Sequence, residues 1–121
     1  MRNFAFAVLI CSLCCSAFAQ SWPGRPIRLL VGFAPGGTTD LSARLVSDIV
    51  SKELGQTVVV ENQPGGAGSI VIETLVRGAA DGHTFVVGFD SSFYQPVLRP
   101  SLAYRTERDL RAVTILTNQP I

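Results

Sequence analysis

Two glycine-rich stretches contain the residues of this sequence best suited to hold a ligand. The first is APGGTT at positions 34–39 and the second is NQPGGAG at positions 62–68. Glycine removes the side chain, so backbone N–H groups can approach an anion. Each stretch also precedes a helical pattern, whose first N–H groups and dipole favour negative charge. The same composition suits a tight turn, and the residues alone leave both interpretations open.

A third stretch, DSS at positions 90–92, offers hydroxyl groups without a catalytic motif. GFDSSF lacks the G-x-S-x-G spacing of a nucleophile elbow, because Asp90 stands where the serine belongs. His83, the one histidine, precedes the nearby apolar run and is predicted at the opposite end from Ser91 and Ser92. No base is therefore expected within reach of either hydroxyl, which disfavours the alternative of a small secreted hydrolase.

Nucleotides, metals and nucleic acids are disfavoured as ligands. Neither glycine stretch carries the lysine of a P-loop, and GGAGSIV lacks the third glycine of a G-x-G-x-x-G fingerprint. No cluster of histidines or paired carboxylates predicts a metal site. Of ten basic residues, Arg2 lies in the leader described below, and nine acidic residues balance the rest. With no basic run, nucleic-acid binding is not expected, and no cofactor is predicted.

Three apolar, β-branched runs predict the strands that position these stretches. They span residues 27–33, 57–60 and 84–89 and start about 30 residues apart, the spacing of successive βαβ units. A fourth strand is predicted at 112–116, after a short helical turn at 107–110. The pattern predicts an α/β fold with an open, doubly wound, mainly parallel sheet. All three candidate stretches then follow the carboxyl ends of strands, where ligands of such sheets bind.

Two helices are predicted between the strands. The first has Thr38 or Thr39 as N-cap, Asp40 in the first turn and Gly55 after its end. Its predicted buried face is Leu41, Leu45, Val46, Ile49, Val50 and Leu54, and its predicted outer face is Arg44, Ser47, Asp48 and Ser51. The second helix has Ser69 as its predicted N-cap and an apolar stripe of Val71, Ile72, Leu75, Val76 and Ala79.

The first 19 residues have the pattern of a secretory signal peptide. Arg2 is followed by a mostly apolar run too short to span a membrane comfortably, and Ala17-Phe18-Ala19 matches the cleavage pattern. The cysteines Cys11, Cys14 and Cys15 all lie inside this segment. Cleavage after Ala19 would leave residues 20–121 as one domain without disulfides, which suits the bacterial periplasm.

Four segments together resemble the N-terminal part of the Bug family, the periplasmic solute receptors of tripartite tricarboxylate transporters. They are WPGRPIRLLVGFAPGGTTDLSARL, LGQTVVVENQPGGAGSI, ADGHTFVVGF and LRPSLAYRTERDLRAVTIL. The resemblance implies a type II periplasmic-binding-protein lobe and a non-catalytic receptor for a small carboxylate, with membrane components of the transporter as partners. Members are much longer, so the second lobe is expected to be missing. A truncated copy that binds nothing remains the alternative.

The resemblance also implies roles for residues of the candidate stretches. Backbone N–H groups of the first stretch would hold a ligand carboxylate, Asp40 would cap the helix, and the serines would donate hydrogen bonds. Asp90 stands where the family usually has a small neutral residue, which favours ligands that are neutral or carry an amine. The implied ligand-binding residues are Ala34, Pro35, Gly36, Gly37, Thr38, Thr39, Ser91 and Ser92. Those implied to shape the second loop are Pro64, Gly65, Gly66 and Gly68.

Overall fold

The computed structural model describes residues 21–118, so the predicted signal peptide and its cleavage position lie outside the described residues. The elements are β1 (Ile27–Val31), α1 (Thr38–Leu54), β2 (Val58–Asn62), a 3₁₀ turn (Gly66–Gly68), α2 (Ser69–Arg77), β3 (Thr84–Val87), α3 (Asp90–Phe93), α4 (Gln95–Leu98) and α5 (Thr106–Asp109).

The three strands form one parallel sheet in the order β2-β1-β3. In the register, Val31 of β1 lies beside Asn62 of β2 and beside Val87 of β3, so all three strands end at one edge. With β1 in the centre, the chain crosses over once to each side, as in a doubly wound sheet. The predicted fold class is confirmed, and the first three predicted strands were misplaced only at their ends.

The apolar core lies between the sheet and α2. Leu30 of β1 packs with Val71 and Ile72 of α2 and with Tyr104, and each of these four is at most 1% exposed. Successive strand residues point to opposite faces, so the buried neighbours of Leu30 on β1 face the other side, where α1 packs against β1 and β2. Both faces of β1 are covered, which explains why its sequence is almost continuously apolar.

The buried side of α1 differs from the prediction. Four residues predicted to be buried are exposed: Leu41 (60%), Leu45 (65%), Ile49 (54%) and Leu54 (37%). Their predicted place in the core is wrong, as is the outward position predicted for Ser47. The buried side carries small and polar residues: Thr39, Asp40, Ala43 and Ser47. The rotation of α1 about its axis is set by Asp40, whose carboxylate accepts a hydrogen bond from Asn62 at the end of β2 and so turns this side of the helix to the sheet.

The start of α1 also differs from the prediction, because neither threonine is its N-cap. Gly37 occupies that position without a side-chain cap, and its carbonyl accepts the first helical hydrogen bond from Leu41 at 3.0 Å. Thr38 and Thr39 already lie in the first turn. Asp40 supplies the capping interaction, accepting a 2.9 Å hydrogen bond from the N–H of Gly36.

Other helix ends follow the prediction in part. Gly55 ends α1 with a φ of 61°, the left-handed conformation predicted for it. At α2, the N-cap is Gly68 and Ser69 is the first helical residue, so the prediction of a serine cap is wrong. Ala79, predicted in the apolar stripe of this helix, lies beyond its end at Arg77 and is exposed. The short helical turn predicted at 107–110 is α5, one residue earlier.

The fourth strand predicted at 112–116 is not formed. Residues 111–118 are irregular and exposed, and Val113 and Ile115 are 76% and 84% exposed. A strand requires a neighbouring strand to take up its backbone hydrogen bonds. Among the described residues, no strand pairs with residues 112–116. No helix in the described part of the chain is long and apolar enough to cross a membrane.

Candidate functional site

The three candidate stretches meet at the carboxyl edge of the sheet. The connections that lead into them are called the first loop (residues 32–37, between β1 and α1), the second loop (residues 63–68, between β2 and α2) and the third loop (residues 88–89, between β3 and α3, which begins with the third stretch). The β1–β3 register continues past the strands, because the rings of Phe33 and Phe89 pack edge to face with centroids 5.2 Å apart. The first and third loops are therefore direct neighbours.

The first loop leads to a set of open backbone donors. Gly36 adopts a φ of 83°, and the N–H of Gly37 makes a long 3.4 Å hydrogen bond to the carbonyl of Ala34. The N–H groups of the next three residues belong to the first turn of α1, which leaves them without helical acceptors. Within residues 21–118 no other acceptor is found for them. The start of a 17-residue helix thus has unpaired N–H groups at the edge. Of the three residues, Thr38 is exposed, whereas Thr39 and Asp40 are buried.

Asp40 fixes the loop in this shape. Its side chain is 2% exposed, and Oδ2 accepts hydrogen bonds from the N–H of Gly36 and from Nε of Arg44, each 2.9 Å long. Oδ1 accepts a 2.9 Å bond from Nδ2 of Asn62, which also donates to the carbonyl of Phe33 at 3.2 Å. One carboxylate therefore connects the first loop, α1 and the end of β2.

The donors around Asp40 keep it charged. The Arg44 guanidinium contributes most, followed by the Gly36 N–H and the Asn62 amide, and together they hold the pKa of this carboxyl well below its ordinary value. The Gly36 N–H is already bound to Asp40, so the N–H groups of Thr38 and Thr39 are the donors of the first stretch that have no acceptor among the described residues.

The second loop is shaped by left-handed backbone. Gly65, Gly66 and Gly68 have φ values of 135°, 57° and 87°, and Ala67 shares this region at 53°. A Cβ added to Gly68 would collide with Oγ of Ser92. The glycines thus serve both backbone conformation and close contact with α3.

The two serines occupy different environments on α3. Ser91 is exposed, while Ser92 is 1% exposed, and its Oγ has no hydrogen-bond partner among the described residues. The carbonyl of Ser92 accepts a 3.2 Å bond from the hydroxyl of Tyr104. Ser91 is therefore the serine open to a ligand, whereas Ser92 packs against the second loop.

Sequence reasoning missed the aromatic pair through which the first and third loops contact each other. Phe89 is 41% exposed and Phe33 is partly buried. A signal was present, because β1 and β3 both run into the tripeptide VGF, at positions 31–33 and 87–89. Because Val31 and Val87 are paired in neighbouring parallel strands, the phenylalanine two residues after each of them lies at the same level.

The opposite edge holds the histidine. His83 is 8% exposed, its Nδ1 lies 3.0 Å from the carbonyl of Asp81, and its ring packs against Trp22. Arg25 pairs with Asp81 at 2.7 Å beside it. His83 is thus separated from the serines by the length of β3. Within residues 21–118, no group of three or more His, Cys, Asp or Glu side chains is placed to hold a metal ion.

Comparisons with known proteins agree on one family. The family described as "Tripartite tricarboxylate transporter family receptor" matches residues 42–121. The protein BugT of Bordetella pertussis is 36% identical over 108 residues, which are 85% of this chain and 32% of BugT. The chain spans about a third of the length of the curated relatives it matches.

Solved structures of ligand-bound proteins share the fold. MatC of Rhodopseudomonas palustris, solved with bound malate, is 39% identical with a TM-score of 0.67, over 73% of this chain and 30% of MatC. The R. palustris protein Rpa4515, solved with adipate, is 42% identical with a TM-score of 0.54, over 55% of this chain and 22% of that protein.

Proposed function

We propose, since this chain belongs to the tripartite tricarboxylate transporter receptor family, that it is the carboxylate-binding part of a solute receptor. The observation that carries the proposal is the set of open N–H groups at the start of α1. Such groups, together with the helix dipole, bind anions. Malate and adipate, found in the related structures, are both carboxylates and indicate the class of ligand.

Each loop has its own role in this proposal. The ligand carboxylate lies over residues 34–39 and accepts hydrogen bonds from Thr38 and Thr39, while Asp40 keeps the loop in place without touching the ligand. Ser91 adds an exposed hydroxyl at the neighbouring strand end. The second loop supports the site through the contact between Gly68 and Ser92, and Pro64, Gly65 and Gly66 give it its shape.

The same proposal covers the cellular role. Residues 1–19 are removed as a secretory signal after Ala19, and residues 20–121 act in the periplasm, the compartment named for related structures. The receptor delivers its ligand to membrane components of the transporter and catalyses no reaction. Asp90, Ser91 and Ser92 have no histidine near them, and no observation favours a hydrolase.

Replacing Thr38 by proline tests the proposal. Thr38 is the first helical residue, where proline is well tolerated, and Gly37 before it has φ −76° and ψ 168°, which suits a residue that precedes proline. The substitution removes one open N–H and leaves the helix intact. Loss of one hydrogen bond to a charged acceptor should weaken malate or adipate binding about tenfold.

Calorimetry on residues 20–121 supplies the measurement, and thermal shift serves as a second readout, because a ligand of the folded state raises the melting temperature. Thr38→Ala is the matched control, since it removes the side chain and keeps the N–H. Equal affinities of Thr38→Pro and Thr38→Ala would contradict the proposed role of the helix start. If the unsubstituted chain binds neither these two acids nor a monocarboxylate or an amino acid, the receptor function is wrong for this chain, and the non-binding remnant takes its place.

A further inference from the structure

The residues beside the open N–H groups give the site an apolar wall. Phe33 lies in the first loop, two residues after β1, and Phe89 lies two residues after β3. The centroids of the two rings are 5.2 Å apart. Phe89 is 41% exposed, although a ring this large loses considerable free energy by staying in water. A ligand whose carboxylate lies at α1 therefore meets an aromatic surface next to it.

An unpaired carboxylate follows that wall. Asp90 is exposed, comes directly after Phe89, and has no ion-pair partner among residues 21–118. Asp40 and Asp81, by contrast, each have an arginine within 2.9 Å. A free negative charge at the strand end repels a second carboxylate of a ligand and attracts an ammonium group.

We propose that Phe33, Phe89 and Asp90 make this site selective for an amino acid with an apolar side chain over a dicarboxylate. This inference rests on the proposed function, because it assumes that the ligand carboxylate is held at the start of α1. The three parts of such a ligand each find a partner: the carboxylate at the N–H groups, the ammonium at Asp90 and the side chain at the two rings.

Three probes separate these contributions in calorimetry on residues 20–121. L-Phenylalanine carries all three groups, 3-phenylpropionate lacks the ammonium, and adipate replaces the ring and ammonium by a second carboxylate. An exposed ion pair contributes up to about 1 kcal/mol, so L-phenylalanine should bind about fivefold tighter than 3-phenylpropionate. Adipate should bind most weakly of the three.

Asp90→Asn keeps the shape of the side chain and removes its charge. The preference for L-phenylalanine over 3-phenylpropionate should fall to about one, and adipate should gain about fivefold in affinity. Asp48→Asn is the matched control, because Asp48 is an exposed acid on α1, remote from the strand ends, and it should change none of these values. Phe89→Ser should weaken both ring-bearing probes and leave L-alanine unchanged.

The outcomes distinguish the inference from the function on which it rests. If adipate binds tightly with Asp90 in place and Asp90→Asn does not alter it, the selectivity is wrong while the carboxylate receptor stands. If no probe binds, both are wrong. A chimera in which residues 21–118 replace the aligned part of the malate-bound relative repeats the Asp90→Asn comparison in a complete receptor. There, unchanged malate affinity would overturn the role of Asp90.

Discussion

The first and second loops look alike in sequence and do different things. Both contain a Pro-Gly-Gly core and both enter a helix. In the first loop, Gly36 has a φ of 83°, no atom lies within 4 Å of the position that a Cβ would take there, and open N–H groups follow it. In the second loop, the glycines face side chains of Ser69, Ile70 and Ser92 at contact distance. The first loop has open space and unpaired N–H groups, and the second is packed.

This difference shows that glycine content alone does not determine whether a loop is open or packed. What separates the two loops is the acid at the third residue of the following helix. Asp40 pulls the first loop towards the sheet by its bond to Gly36, so the first turn of α1 stays free. The second loop has no such acid, and its 3₁₀ turn (Gly66–Gly68) is shaped by packing against α3.

The largest expected effect comes from filling the space at Gly68. Gly68→Ala places a methyl group against Ser92 in a left-handed backbone, so it should lower the free energy of unfolding by about 3 kcal/mol. Gly36→Ala is the control, because it has the same backbone cost but its methyl group meets open space. It should lower the free energy of unfolding by about 1 kcal/mol. Urea unfolding measures both. Equal losses would show that the second loop is no more packed than the first.

The same contact can be tested by coupling. Ser92→Gly removes both side-chain atoms that the new methyl group would strike. The double variant should therefore lose less stability than the two single losses combined, by about 1 kcal/mol or more. Additive losses would contradict a direct contact between positions 68 and 92.

The next effect concerns the acid that opens the first loop. Asp40→Asn should lower the melting temperature at pH 7, because the amide cannot accept from Gly36, Arg44 and Asn62 together. The pKa of Asp40 is lowered on folding, so its contribution is complete above the ordinary carboxyl pKa of about 3.9 and is lost as the pH falls through the lower folded value. The stability advantage over Asp40→Asn should therefore shrink below about pH 4.

Melting curves of both proteins from about pH 7 to about pH 2 cover the upper part of this window, where the difference begins to shrink, and provide the measurement. Asp48→Asn is again the control, since Asp48 is exposed and its replacement should have little effect at any pH. A gap between the native chain and Asp40→Asn that stays constant over the whole range would mean that the carboxylate is not what fixes the first loop.

The smallest effect is a gain. Ala67 is the one described residue other than glycine with a positive φ, 53°. Ala67→Gly should relieve this strain and raise the free energy of unfolding by about 0.5–1 kcal/mol. Ala79→Gly, at an exposed residue with ordinary φ, should lower it slightly instead. A loss at position 67 equal to that at 79 would show that the second loop is not held in the left-handed conformation.

Much of the fold could be predicted because it depends on local pattern. The spacing of the apolar runs predicted the βαβ order and the common edge at which the loops meet. The face of α1 could not be predicted from hydrophobicity, because the bonds of Asp40 to Gly36 and Asn62 turn the helix so that Leu41 and Leu45 face outward. The strand at 112–116 could not be judged, since its existence depends on a neighbouring strand.

The candidate site was predictable to a similar degree. The glycine and helix patterns located the first loop, but they could not show that the Gly36 N–H is bound to Asp40, because a side chain in the first turn of the helix competes for it. The contact between Phe33 and Phe89 could have been predicted, since the repeated VGF marks equal positions on neighbouring strands.

The contact between Gly68 and Ser92 also limits the order in which this sequence can change over evolution. A larger residue at position 68 collides with Ser92 unless that side chain has already been lost. The side chain at position 92 can be lost while position 68 is still glycine, whereas position 68 cannot take a larger residue while Ser92 is present. A chain with a larger residue at position 68 and no side chain at position 92 can arise in two orders. Only the order in which position 92 changes first avoids a poorly folded intermediate.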